Sequence, residues 1–146
     1  MKTDKRKILV IDDSEAARAV ICETLAAVGY EVFELASAIG ATRTVLRNEI
    51  AAVIVDLSMP GLSGDMLVRV LRRNVRLARL VIIVVSGTDT AELESVRTQG
   101  GADAVLSKAH VQSDLVRVLA HLLEAPPPAH RLAASVPNGM PERGDA

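Results

Sequence analysis

Five polar side chains in this sequence each stand at the end of an apolar run. Asp12 and Asp13 follow KILVI, and Asp56 closes AAVIVD. Ser86 follows LVIIVV, and Lys108 follows ADAVLS. Taken singly, such residues are usually helix caps, turn residues or solvated charges. If the runs are parallel strands of one sheet, however, their carboxyl ends meet at one edge, where ligands bind in such folds. The joint placement therefore favours a site over isolated structural roles.

The residue types indicate a hard cation and a phosphoryl group. Three carboxylates against one ammonium leave an excess of negative charge that suits one divalent ion. Oxygen ligands without His or Cys favour Mg²⁺ (or Mn²⁺) over Zn²⁺. A metal ion, an ammonium and a hydroxyl beside a carboxylate fit phosphoryl transfer, and a carboxylate can itself be the nucleophile. The spacing alone does not say whether Asp12, Asp13 or Asp56 attacks.

Strands and helices alternate along the chain in five β-then-α units. Apolar strands between amphipathic helices are covered on both faces, which predicts an α/β fold with a parallel sheet. The strand YEVFEL is more polar and suits a sheet edge. Gly40 weakens the second helix, and Ser113 is a plausible N-cap of the last one. The predicted helices cover residues 15–28, 37–49, 65–73, 90–99 and 113–124.

Composition excludes several classes of protein. Apolar residues make up 49% of the 146 residues, but there is one Tyr, one Phe and no Trp, so Ala, Val, Leu and Ile must form the core. A formal net charge of -1 gives no support for nucleic-acid or membrane-surface binding. The single cysteine, Cys22, fits a small core residue in a reducing compartment. No apolar run reaches the ~20 residues of a membrane span, so a cytoplasmic location is expected.

The chain divides into three parts. Residues 1–6 form a short basic N-terminal arm, and residues 7–124 form one domain. Residues 125–146 hold five of the six prolines and show no strand or helix periodicity. We therefore expect this tail to be disordered.

The motifs resemble those of one family. IDDSEAAR, VDLSMPGLSG, VVSG and LSK, in this order, are similar to the receiver domain of two-component response regulators, over about residues 7 to 123. The resemblance implies a CheY-like, flavodoxin-like doubly wound sheet in the order 2-1-3-4-5, flanked by five helices. It implies that Asp56 is the phosphoacceptor, that Ser86 bonds a phosphoryl oxygen, and that Lys108 pairs with Asp56 or the phosphoryl group. The implied ligands of Mg²⁺ are Asp12, Asp13, Asp56 and the backbone carbonyl of Ser58.

The resemblance also implies partners. A histidine kinase or a histidine phosphotransfer protein would be the donor. A stand-alone receiver would then signal through protein contacts, or pass phosphate along a relay. The face of the fourth helix, fifth strand and fifth helix would meet the downstream target, and a homodimer is one possible state. The chain would not be a turnover enzyme on small molecules.

Two positions depart from the family pattern. Val105 stands where a Tyr or Phe is usual, and Ala109 stands where Pro is usual after the lysine. A non-proline cis bond costs about 2.5–4 kcal/mol, so we expect Lys108–Ala109 to be trans.

Two other functions are compatible with the sequence. The first is a receiver-fold docking module that works without phosphorylation, which Val105 and Ala109 favour and the intact acidic set disfavours. The second is a small-molecule phosphatase or phosphotransferase with an Asp nucleophile. Such enzymes usually carry a DxD pair after the first strand, whereas this chain has Asp12 and Asp13 followed by Ser14.

Overall fold

The computed structural model describes residues 5–57, 64–87 and 101–131. The strands are β1 Lys7–Ile11, β2 Glu31–Leu35, β3 Ala52–Asp56, β4 Val81–Ser86 and β5 Ala104–Ser107. The helices are α1 Glu15–Ala26, α2 Ala41–Asn48, α3 Gly64–Arg73 and α4 Val111–Glu124, with 3₁₀ turns at Val75–Leu77 and Lys108–His110. The predicted helix at residues 90–99 lies outside the described residues. None of the helices within these ranges is long and apolar enough to cross a membrane.

The five strands form one parallel sheet in the order β2-β1-β3-β4-β5. This is the predicted order, and helices cover both faces of the sheet. The polar strand β2 lies at the edge, as its composition predicts, while β3 and β4 are wholly buried. Because the order in which strands are added to the sheet reverses between β1 and β3, the carboxyl ends of these neighbouring strands border the crevice where ligands bind in such folds.

Alternation along each strand divides the core into two layers. Leu9 and Ile11 of β1 point to the layer that also contains buried residues of α2 and α3. Ile8 and Val10 point to the opposite layer, which contains buried residues of α1 and α4. Successive side chains of a strand point to opposite faces, so β1 must be apolar throughout to serve both layers.

Helix boundaries follow local backbone chemistry. Ser14 caps α1, because its hydroxyl accepts a hydrogen bond from the Ala17 N–H at 3.2 Å. The predicted helix over residues 37–49 is shorter than expected: Gly40 adopts φ 85 and α2 begins only at Ala41. The predicted Ser113 cap is wrong. Helix α4 begins at Val111, and the Ser113 hydroxyl donates to the His110 carbonyl instead.

A buried ion-pair network joins α3, β4 and the residues after α4. The Asp103 carboxylate accepts from Arg72 at 2.7 Å and from Arg131 at 2.8 Å. It also accepts from the Ile82 N–H at 2.9 Å. Because Ile82 is near the start of β4, the network lies toward the amino ends of the strands, away from the aspartates. Residues 125–131, the first part of the tail expected to be disordered, are thereby tied to the domain; the rest of the tail lies outside the described residues.

Candidate functional site

Three carboxylates converge at the carboxyl edge of the sheet. Asp56 is the last residue of β3, and Asp12 and Asp13 directly follow the neighbouring strand β1. Each offers one oxygen, and these three oxygens lie within 4.8 Å of one another. Asp12 and Asp56 are buried, with 1% and 3% of their surface exposed, whereas Asp13 is exposed. The structure thus brings together the three acids that the sequence placed at the ends of two different strands.

Lys108 faces this cluster from β5, two strands away from β3. Its Nζ lies 3.5 Å from Asp56 Oδ2 and 3.6 Å from Asp12 Oδ2. The lysine opens the 3₁₀ turn Lys108–His110, which the Ser107 hydroxyl caps by accepting from the Ala109 N–H at 3.1 Å. The described residues contain no cis peptide bond, so Lys108–Ala109 is trans, as predicted. The Lys108 side chain therefore reaches the aspartates with a trans peptide bond after it.

Asp12 shows why the cluster fits a cation. Its Oδ1 accepts from the Ser14 N–H at 2.9 Å. Its Oδ2 is buried and, among the described residues, has no hydrogen-bond partner. The Lys108 ammonium at 3.6 Å is an ion pair too long to count as a hydrogen bond. A buried carboxylate oxygen without a partner is costly, and a divalent ion shared with Asp13 and Asp56 would satisfy it.

Burial raises the pKa of Asp12 above its usual 3.8, and the neighbouring carboxylates of Asp56 and Asp13 add to this rise. The Ser14 N–H and the Lys108 ammonium act in the opposite direction but do not cancel it. The folded protein thus keeps this proton to a higher pH than the unfolded chain. Without a cation, the stability should fall as the pH rises above about 3.8 and Asp12 ionises.

Asp12→Asn should therefore stabilise the cation-free protein at neutral pH. We expect a melting temperature a few degrees higher than in the wild type, the shift of a change on the order of 1 kcal/mol. Thermal unfolding in EDTA across the acidic to neutral range would measure it. The difference between the two proteins should vanish toward low pH, where both side chains are neutral. Parallel curves at every pH would contradict the raised pKa.

The other predicted site residues lie around this cluster. Ser86 ends β4, is fully buried, and pairs in register with Ser107 of β5. Because β4 is hydrogen-bonded to both β3 and β5, Ser86 lies at the same sheet edge as Asp56. Val105 is half-buried and packs against the core layer of α2 and α3. Ser58, the predicted source of a carbonyl ligand, lies outside the described residues.

Gly64 is the last glycine of the VDLSMPGLSG motif, and its role in the structure goes beyond that of a loop residue. Its N–H donates to the Leu57 carbonyl at 3.3 Å, which holds the start of α3 against the end of β3. A Cβ at this position would press against the backbone carbonyl oxygen of Asp56 and lie 2.7 Å from the Leu57 Cα. Only glycine fits this close approach without shifting the backbone that carries Asp56.

Gly64→Ala should destabilise the protein by about 2 kcal/mol, because the added methyl meets rigid backbone rather than a flexible side chain. The same change should slow any modification of Asp56, whose carbonyl must move. Urea denaturation would measure the stability. Gly87→Ala is the matched control, since a Cβ there meets nothing within 4 Å. Equal stability of the two variants would show that the approach at Gly64 is not restrictive.

Two other side chains of chemically reactive types, Cys22 and His110, lie outside the carboxylate cluster. Cys22 packs against the core layer of α1 and α4. Burial, with Glu34 nearby, raises the pKa of its thiol to about 11, so it is not an activated nucleophile. His110 is exposed and has no predicted chemical role.

A parallel sheet in the order 2-1-3-4-5, with three aspartates and a lysine gathered at its carboxyl edge, is the arrangement of a receiver domain. The chain belongs to this family: the response regulator receiver domain matches residues 8–120.

Individual relatives agree with this membership. The chain is 28% identical over 117 residues to the response regulator protein FleR of Pseudomonas aeruginosa. It is 35% identical over 119 residues to the sensory/regulatory protein RpfC of Xanthomonas campestris pv. campestris. Each match covers 80% of this chain, but only 24% of FleR and 16% of RpfC. The chain therefore spans less than a quarter of the length of these relatives.

A solved structure shows the same fold. The chemotaxis protein CheY4 of Vibrio cholerae superposes with a TM-score of 0.75 at 24% identity, over 82% of this chain and 99% of that one.

Proposed function

We propose that this receiver domain accepts a phosphoryl group on Asp56 from a phosphohistidine donor. The observation that carries the proposal is the position of the Asp56 carboxylate. It is buried within the carboxylate cluster, with its Oδ2 3.5 Å from the Lys108 ammonium. A carboxylate in this position can act as a nucleophile, because neighbouring positive charge can neutralise the phosphoryl oxygens during transfer.

In the proposed reaction, an Asp56 oxygen attacks phosphorus. A bond forms between that oxygen and phosphorus, the donor's N–P bond breaks, and its electron pair stays on the imidazole nitrogen. The product is an acyl phosphate. Lys108 stabilises the negative charge of the phosphoryl group, and Ser86, at the neighbouring strand end, donates a hydrogen bond to it.

Asp12, Asp13 and Asp56 would hold Mg²⁺, or Mn²⁺, with the Ser58 carbonyl as a further proposed ligand. The Oδ2 of Asp12, which accepts no hydrogen bond from the described residues, supports this assignment. The bound ion would supply positive charge that offsets the phosphoryl oxygens and the crowded carboxylates. The chain's own contribution is to keep three carboxylates close together and to bring Lys108 in from β5.

The proposed donor is a histidine kinase or a histidine phosphotransfer protein, and the proposed output is a change in protein contacts. A receiver switches by favouring one of two conformations, so the downstream partner must contact the two conformations differently. Because residue 105 is Val105, this change proceeds without a switching aromatic side chain at that position.

Incubation with acetyl phosphate tests the proposal without knowledge of the donor. Intact-protein mass spectrometry should show one labile phosphate adduct when Mg²⁺ is present and none when EDTA replaces it. Absence of an adduct under both conditions, together with failure of phosphotransfer from histidine donors, would favour a docking module that works without phosphorylation.

A further inference from the structure

The guanidinium of Arg18, on α1, connects the metal-site loop to the edge strand. Its NH1 donates to the backbone carbonyl of Asp12 at 2.6 Å, and its Nε donates to Glu34 Oε1 at 3.0 Å. The Arg18 side chain is only 15% exposed, so its two hydrogen bonds are largely shielded from solvent. The Glu34 side chain is 54% exposed. One planar cation thus spans the backbone of Asp12 and a carboxylate of β2.

These contacts leave Asp12 little freedom. Its backbone N–H donates to the Leu35 carbonyl at 3.2 Å. Strand β2 therefore holds the N–H of Asp12 directly and its carbonyl through Arg18. The Asp12 Oδ1 is held by the Ser14 N–H. With the backbone and one carboxylate oxygen fixed, the position of the remaining oxygen, Oδ2, is set as well, 3.6 Å from the Lys108 Nζ.

We infer that Arg18 is a positioning residue, which fixes the Asp12 backbone so that Oδ2 is pre-arranged for a divalent cation. This inference rests on the proposed metal-binding function. A guanidinium suits the task, because its fork of donors reaches two acceptors at once, whereas the ammonium of Lys is a point charge on a flexible stem. Groups that orient metal ligands from outside typically change metal affinity 10–100-fold when they are removed.

Calorimetric titration with Mg²⁺, at a temperature well below unfolding, tests the inference. Arg18→Gln should raise the dissociation constant about 10-fold. Arg18→Lys should recover part of the affinity, because Lys can still donate to the Asp12 carbonyl. Arg117→Gln is the matched control: this helical arginine is also paired, with Asp114 at 3.2 Å, but its side chain is 72% exposed. Its dissociation constant should equal that of the wild type.

Glu34→Gln keeps the inference testable should Arg18→Gln fail to fold. It leaves the guanidinium in place but removes its charged anchor, so the affinity should fall by less than in Arg18→Gln. Wild-type affinity in both Glu34→Gln and the folded Arg18 variants would overturn the positioning role while leaving the metal site intact. Failure of the wild type itself to bind Mg²⁺ would overturn the proposed function, and the inference with it.

Discussion

Asp56→Asn is expected to abolish phosphate incorporation completely. The substitution keeps the size of the side chain but removes the carboxylate oxygen that attacks phosphorus, and an amide is a poor nucleophile. It also removes one of the three charges that would hold Mg²⁺. Because Asp56 is buried among like charges, the loss of its charge should not unfold the domain. Mass spectrometry after incubation with acetyl phosphate and Mg²⁺ would measure the effect.

Asp114→Asn is the control for this experiment. Asp114 pairs with the exposed Arg117, accepts a long hydrogen bond from the Ser113 hydroxyl, and is on α4, outside the carboxylate cluster. The Asp114→Asn variant should incorporate phosphate to the same extent as the wild type. An undiminished adduct in Asp56→Asn would contradict the assignment and would direct attention to Asp12 or Asp13 as the acceptor.

Asp103→Ala is expected to cause the largest loss of stability. The carboxylate is 10% exposed and is the shared acceptor for Arg72 and Arg131. Its removal takes from the nearly buried Arg72 guanidinium the carboxylate with which it pairs, and from the Ile82 N–H its side-chain acceptor. Breaking a buried pair by removing one partner costs about 3–5 kcal/mol. Urea denaturation should show a loss in that range.

The surroundings of Arg72 explain why this loss should be large. Burial lowers the pKa of Arg72 to about 10, even though Asp103 acts to raise it. The guanidinium therefore already bears a net desolvation cost, which removal of Asp103 would increase.

Arg131→Gln serves as the comparison. It removes one of the two arginine partners of Asp103 and leaves the bond between Arg72 and Asp103 intact, so its cost should be clearly smaller. Equal losses in Asp103→Ala and Arg131→Gln would show that the residues after α4, rather than Arg72, govern the network.

The sheet could be predicted because its signals are local. An apolar run such as LVIIVV cannot serve a sheet with one solvated face, so buried parallel strands follow directly. The polar YEVFEL predicted the edge position of β2 for the same reason. The boundaries of the helices were harder to predict from the sequence. The start of α2 depends on the left-handed conformation of Gly40, and His110 rather than Ser113 precedes α4.

The residues that form the site could be predicted from the sequence, but the residues that hold them in position could not. Asp12, Asp13, Asp56 and Lys108 each end or follow a strand, so topology alone brings them together. Arg18 and Gly64 act through contacts with backbone atoms, and no residue pattern in one sequence reports such contacts. The pairing of Asp103 with Arg72 and Arg131 joins residues separated by 31 and 28 positions, which periodicity cannot detect.

Paramagnetic broadening by Mn²⁺ tests the central claim most directly, because it locates the bound cation without any phosphorylation step. Backbone amide signals of Asp12, Asp13, Leu57 and Lys108 should broaden first as Mn²⁺ is added in small amounts. The signals of Asp103 and its neighbours, toward the other end of the strands, should stay sharp, and excess Mg²⁺ should restore the broadened ones. Uniform weak broadening, or selective broadening away from the three aspartates, would contradict a metal site at Asp12, Asp13 and Asp56.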